Sequence, residues 1–244
     1  MSPLHASRPP TLATPHPQTA SPTREASLRS LRRALRQCRR GLSPRQQRAH
    51  ARALARLLGK DPACLKARRL TAYWPADGEL DPRPLLALAS RRGRSTFLPV
   101  LRRVSRGRLW FVPYRPGEPL DTTRFGFRIP EPRRRGPIGP PWHLDLILMP
   151  LVGFDLDCNR LGMGGGFYDR TLAYLRQRSR WRRPRLLGLA HACQRLERIE
   201  ARPWDIPLDG VATETGICWR RGPRSQGPGP RDQGCWTEPP SEGR

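Results

Sequence analysis

Arg160, the glycines Gly162, Gly164, Gly165 and Gly166, and the adjoining Tyr168 and Asp169 are the residues of this 244-residue chain best suited to chemistry. Four glycines within five positions leave backbone N–H groups uncovered, so an anion can approach the main chain directly. Arg160 adds a positive fork, and Asp169 offers oxygen to a divalent cation on bound phosphates. Two familiar loops are excluded. A Walker-type loop needs Gly-Lys followed by Ser or Thr, but here Gly165-Gly166 runs into Phe167-Tyr168. A dinucleotide fingerprint needs a third glycine where Phe167 stands and an acid about 20 positions on, where His191, Ala192 and Cys193 are found. A tight strand-to-helix connection would show the same glycines, so the loop alone does not decide.

Such a loop needs a strand before it and a helix after it. Residues 146–154 form an unbroken apolar run, the pattern of a strand buried on both faces of a parallel sheet. Thr171, Leu172, Tyr174 and Leu175 supply the apolar positions of a helix over 169–179, whose dipole would assist phosphate binding. Upstream, Leu28, Leu31, Leu35, Cys38 and Leu42 keep helical spacing. Ser43-Pro44 opens a second helix over 45–58. Further strands are predicted at 70–74, 96–101, 109–114 (an edge), 186–190 and 211–215, with a helix over 85–92. Residues 116–141, punctuated by Gly and Pro, read as an irregular arm around the site. Strands alternating with helices predict an α/β fold: a single three-layer domain over 24–220, mostly parallel sheet covered by helices. Residues 1–23 and 221–244 lack apolar periodicity and are predicted to be disordered tails.

The net charge of +26 suggests a nucleic-acid binder when taken alone. The excess is nearly all arginine, however, rising together with proline and glycine as coding bias in a GC-rich genome would produce. No RNP motif, zinc spacing or basic zipper accompanies it. The six cysteines show no C-x-x-C pair, and no secretory or membrane-spanning run is visible. A cytoplasmic monomer with reduced thiols, no specific nucleic-acid partner and no membrane association is expected, although an acid-poor N-terminus keeps an organellar transit segment open.

Residues 149–170, with Pro150-Leu151-Val152, Phe154-Asp155 and Asn159-Arg160-Leu161-Gly162 leading into the glycines and Tyr168-Asp169-Arg170, closely resemble the 5-formyltetrahydrofolate cyclo-ligase family. The resemblance extends in order through Tyr73-Trp74-Pro75, Asp77-Gly78-Glu79, Phe97-Leu98-Pro99, Phe127-Arg128-Ile129-Pro130, Gly188-Leu189-Ala190-His191, Trp204-Asp205-Ile206-Pro207 and Thr213-Glu214, so it spans roughly residues 27–217. It implies ATP-dependent conversion of 5-formyltetrahydrofolate to 5,10-methenyltetrahydrofolate, with ATP and Mg2+ required and the small folate as partner.

Carried over by position, the resemblance makes Arg160, Tyr168 and Asp169 catalytic. The nucleotide would be held by Arg29, Arg32, Arg160, Leu161, Gly162, Met163, Gly164, Gly165, Gly166, Phe167 and Tyr168. The folate would meet Trp74, Glu79, Met163, Gly164, Gly165, Gly166 and Phe167, and the metal Asp169 and Asp209. Plainer roles exist for several: Arg29 and Arg32 as solvated charge, Glu79 as a helix cap, Asp209 as a turn former, Trp74 as core wall. Three positions depart from the family pattern. Cys158 stands where the turn usually has glycine, Leu28 where many members have lysine, and Gly165 where some have lysine. The alternatives are a noncatalytic nucleotide- or folate-binding homologue and a basic RNA-associated protein whose glycine loop is only structural.

Overall fold

The computed structural model describes residues 22–101, 107–122, 130–132, 139–177 and 184–220. Both predicted tails, apart from residues 22 and 23, lie outside the described residues. Eleven strands and five α-helices are present among them. The helices are α1 (Pro22–Gly41), α2 (Pro44–Leu58), α3 (Pro62–Lys66), α4 (Arg83–Arg91) and α5 (Phe167–Thr171). The strands are β1 (Arg69–Thr71), β2 (Ser95–Leu101), β3 (Leu109–Pro113), β4 (Leu120–Thr122), β5 (Pro130–Pro132), β6 (Leu146–Pro150), β7 (Gly153–Phe154), β8 (Arg160–Leu161), β9 (Arg185–Leu189), β10 (Gly210–Ala212) and β11 (Ile217–Trp219).

Seven strands form the main sheet in the order β11-β10-β9-β6-β1-β2-β3. The five inner strands run parallel, and β3 and β11 close the edges antiparallel. From β1 the chain proceeds outward to β2, whereas from β6 it proceeds the other way to β9 and β10. Neighbouring β1 and β6 therefore mark the topological switch point, where the loops leaving the two strands diverge and open a crevice at their C-terminal ends.

Alternation along β6 shows why it lies at the centre. Leu146 and Leu148 join the core beneath α2 and α4 (Leu54, Leu58, Leu85, Leu86). Ile147 and Met149 point to the opposite core, with Phe111, Phe154, Leu172, Leu175 and Leu208. All four are at most 1% exposed, so the sheet is covered on both faces as the apolar run predicts. The second helix begins as its sequence requires: Ser43 caps it reciprocally with Gln46, and Pro44 takes the first turn. A third, smaller cluster seats α1 across the strand ends, through Leu28, Leu31 and Leu35 on Val152 and Leu161.

Four expectations are corrected. The apolar run 146–154 is two strands: β6 ends at Pro150, and β7 turns away to pair antiparallel with β8. The turn is forced from outside the run, because the Leu151 carbonyl accepts from Arg39 and Gln194 while Val152 N–H donates to Leu161. The helix over 169–179 is five residues of α5 followed by a 3-10 turn, Ala173–Gln177. The sheet is finished by β11 rather than by 211–215. In the arm over 116–141, β4 and β5 pair as an antiparallel ribbon; residues 123–129 and 133–138 lie outside the described residues.

Candidate active site

Two loops meet at the switch point, one leaving β1 and one leaving β6. The first is held in an unusual shape. Asp77 and Gly78 both have left-handed backbone, φ 54° and 72°. A Cβ on Gly78 would stand 3.0 Å from the Arg39 carbonyl oxygen, so α1 approaches too closely for a side chain there. Strain at Asp77 is opposed by three arginines of α1: Arg36 Nε and Arg39 Nη2 donate to its Oδ2 at 2.7 and 2.9 Å, and Arg40 bonds Oδ1. Partial burial pushes the Asp77 carboxyl up, but these bonds outweigh it and hold the group below the usual carboxylate range. Arg39 is the centre of this arrangement. It is fully buried on the α1 face that seats Leu35, and it also donates to the carbonyls of Asp77 and Leu151 at 2.8 and 3.1 Å. One side chain thus ties α1 to both loops.

Glu79 follows. The Ala76 N–H donates to its Oε2 at 3.1 Å, and Arg39 Nη2 lies 3.7 Å from its Oε1. Burial pushes the Glu79 carboxyl up, with Arg39 opposing. The acid lines a cleft of about 470 Å³, whose other wall is α2 with Gln47, Arg48 and Arg52. Glu79 is therefore a pocket residue, and the N-cap position of α4 is Pro82, with no side-chain cap.

The second loop begins with the β7–β8 hairpin. Its turn places Cys158 at φ 61°, the conformation for which glycine is favoured, which accounts for the glycine of the resemblance at this position. Asp155 holds the turn through bonds to Asn159 and the Ile199 N–H. The glycines then emerge: 162, 164 and 165 are exposed, Gly164 has φ 96°, and open space surrounds Gly162. Arg32 donates from Nε to the Gly162 carbonyl at 2.9 Å and lies 3.9 Å from where a Gly164 Cβ would stand. Burial and the nearby charge of Arg202 depress the Arg32 pKa, Glu25 opposes, and Arg29 adds to the depression. Arg32 of α1 thus overlooks the loop, and the charge of Arg202 is felt at Arg32. Five residues of α5 give only a small dipole, so an anion at this loop would rely on main-chain amides and arginines.

The remaining candidates divide. Arg160 turns its fork to Asp169 Oδ1, which also accepts the Ile206 N–H at 3.2 Å. Tyr168 has its ionisation pushed up by burial and then by the charge of Glu79, while Arg160 opposes; its hydroxyl feels both loops. Leu161 is buried against Leu35 and Val152, leaving its backbone to serve the hairpin. Met163 is exposed, and Phe167 lies under the Arg170 guanidinium at 5.3 Å. Trp74 packs edge-on against Tyr114 and is covered by Arg83 at 5.1 Å, so it is part of a wall. Asp209 accepts the Leu186 N–H on its Oδ2 at 2.7 Å, near the start of β9, and stands three residues beyond Ile206, whose N–H bonds Asp169.

Arg36, Arg39, Arg40 and Gln194 also bond these two loops and the charge of Arg202 reaches Arg32, although the sequence does not single them out; Asp77 appears there only as part of a motif. Gln194 donates to the carbonyls of Leu151 and Val152 at 3.0 and 2.8 Å, fixing the turn into the second loop. Its place three residues after His191, where the Gly188–His191 motif ends, is the available signal.

Comparison with known proteins gives consistent results. A sequence profile for the 5-formyltetrahydrofolate cyclo-ligase family matches residues 24–214. The chain is 38% identical over 183 residues to the 5-formyltetrahydrofolate cyclo-ligase of Escherichia coli K12, covering 75% of this chain and 98% of that one. For the Haemophilus influenzae cyclo-ligase the identity is 35% over 145 residues, covering 59% and 74%. The structure of Aquifex aeolicus 5,10-methenyltetrahydrofolate synthetase superposes with a TM-score of 0.67 at 29% identity, covering 82% of this chain and 96% of that one.

Proposed function

We infer that this chain, which belongs to the 5-formyltetrahydrofolate cyclo-ligase family, cyclises 5-formyltetrahydrofolate to 5,10-methenyltetrahydrofolate at the β1/β6 crevice, consuming ATP. The difficulty is a formamide oxygen, a poor leaving group. Transfer of the γ-phosphoryl group onto that oxygen releases ADP; N10 of the same folate then attacks the activated carbon, and the oxygen departs as phosphate. The protein's work is alignment and charge stabilisation.

The exposed main chain of residues 162–165, with Arg32 bonded to it and the charges of Arg202 and Arg29 felt at Arg32, fits a triphosphate. Asp169 has Oδ1 engaged by Arg160 and Ile206, which leaves Oδ2 to face a cation carried on the phosphates. A magnesium ion there would neutralise charge on the transferring group. Arg160 acts by fixing Asp169. We assign the cation to Asp169 first; Asp209, whose Oδ2 accepts the Leu186 N–H, is the second candidate ligand three residues beyond Ile206.

On the folate side, Glu79 accepts N–H groups of the pterin ring, which restore the hydrogen bonds that burial removes. Phe167 and Met163 form the apolar lip. The observation that carries the reading is that Arg39 ties the Glu79 loop to the Leu151 carbonyl, ahead of the segment that leads to the uncovered glycines, and that the charge of Glu79 is felt at Tyr168 beside them.

The test is incubation of purified protein with Mg-ATP and 5-formyltetrahydrofolate labelled with 18O in the formyl group. Methenyltetrahydrofolate absorbance should rise and the label should appear in phosphate. No absorbance change at saturating substrate, or label released as water, would refute the assignment.

A further inference from the structure

His50, His191 and Glu214 come from α2, from the residue after Ala190 and from the loop after β10, yet their ligand atoms all lie within 4.8 Å of one another. Among the described residues no other group of three or more such side chains is brought together, and this one contains neither Asp169 nor Asp209. The geometry is that of a coordination site. His50 Nδ1 is 2.9 Å from His191 Nδ1 and 3.6 Å from Glu214 Oε1. Zinc bonds of about 2.1 Å at a tetrahedral angle place two donors roughly 3.4 Å apart, between these two separations.

The lone pairs are also aimed correctly. His191 Nε2 faces the Gly78 carbonyl at 3.2 Å. A carbonyl only accepts, so Nε2 carries the proton and Nδ1 presents its lone pair to the cluster. A backbone carbonyl behind the ring is the partner that orients a metal-binding imidazole. Glu214 is fixed in the same manner, both its oxygens accepting from the Ala192 N–H at 3.2 and 3.1 Å. A plain hydrogen bond from His50 Nδ1–H to His191 would account for the short N–N distance. It leaves one proton facing both an imidazole lone pair and a carboxylate, an excess of negative potential that a cation would satisfy.

We propose that His50, His191 and Glu214 bind one divalent ion of the zinc class, with water in the fourth position. Two imidazoles and one carboxylate suit zinc, cobalt or nickel and disfavour magnesium, so the site is chemically separate from the phosphate-bound cation. The ion joins α2 to the ends of β9 and β10. Through His191 and Gly78 it also steadies the loop that presents Glu79, because Gln47 and Ala51 beside His50 line the same cleft. That last consequence rests on the folate reading above; metal binding itself does not.

The test uses tag-free full-length protein stripped with chelator and titrated with Co2+ as a spectroscopic probe, then with Zn2+ in competition. Cys193 is two residues from His191 and its carbonyl accepts from Cys38 Sγ, so the titration is repeated in the Cys38→Ser/Cys193→Ser protein. One equivalent of Co2+ should bind with visible d–d bands in both proteins. His50→Ala and, independently, Glu214→Gln should weaken binding at least about tenfold. Absence of stoichiometric Co2+ and Zn2+ binding, retention of it in both ligand variants, or its loss with the cysteines would overturn the proposal. Cyclase activity is not the readout, so failure here leaves the assigned reaction standing.

Discussion

Replacing Arg39 by methionine tests whether one buried guanidinium holds the two loops together. Methionine keeps the stem of the side chain as far as Nε and removes its charge and donors. The Asp77 carbonyl and carboxylate and the Leu151 carbonyl each lose a bond. Breaking a buried ion pair costs about 3–5 kcal/mol, because a charge is left without its partner. Here the lower end applies: Asp77 keeps Arg36 and Arg40, and the Leu151 carbonyl keeps Gln194. A loss of about 3 kcal/mol should lower Tm by roughly 6–12 °C in a domain of this size. Arg40→Ala is the control. Arg40 binds the same carboxylate but is half exposed, and should cost about 1 kcal/mol or less. Function should follow in a particular direction. Without Arg39 the Glu79 carboxyl, already pushed up by burial, moves higher, so KM for the folate should rise at neutral pH while KM for ATP changes little. Urea denaturation and steady-state kinetics on the three proteins decide it. Equal stability losses for Arg39→Met and Arg40→Ala, or an unchanged folate KM in Arg39→Met, would rule out this role for Arg39.

Glu79→Gln should stabilise the ligand-free protein near neutral pH while abolishing folate binding. A carboxyl whose folded pKa is raised contributes stability below its unfolded value that is lost as pH rises through the folded one; urea midpoints of both proteins from pH 4 to 8 should therefore diverge upward in pH. Asp169→Asn should lower kcat about a hundredfold and leave folate KM nearly unchanged, because the charge on the transferring group develops only in the transition state; parallel losses in both would contradict its role. Gly164→Ala has room for its Cβ beside Arg32 but must hold φ near 96°, so a melt should show a loss of about 1–2 kcal/mol. Its ATP KM should rise about tenfold as the amide moves off the phosphate, and a variant binding ATP normally would count against the cradle.

The sequence was most legible where a single local cause governs. The unbroken apolar run from Leu146 marked the central strand, and Ser43 with Pro44 marked the start of α2. The uncovered glycines and the Asp77-Gly78-Glu79 segment marked the two loops that the switch point brings together. What escaped depends on distant partners. The run from Leu146 to Phe154 has no polar break, so its division after Pro150 follows only from Arg39, Gln194 and Leu161 reaching in. Arginine recurs throughout α1, and only packing separates buried Arg39 from exposed Arg29 or Arg33. The shortness of α5 is likewise tertiary: Thr171 takes the Leu109 N–H, and Arg170 reaches back to the Gly165 and Gly107 carbonyls. Asp209 matches a motif, yet the motif does not foretell that its Oδ2 accepts the Leu186 N–H of β9. Cys158 is the converse case, where a departure from the expected glycine marks a left-handed turn that the backbone keeps regardless.

Amide hydrogen exchange with and without nucleotide tests most directly whether bare main chain grips the phosphates beside the folate pocket. A nonhydrolysable ATP analogue should slow exchange at residues 162–168, and 5-formyltetrahydrofolate should slow it at 76–80. Nucleotide protection falling elsewhere, with 162–168 exchanging as freely as in the unliganded protein, would show that the phosphates are held by some other part of the molecule.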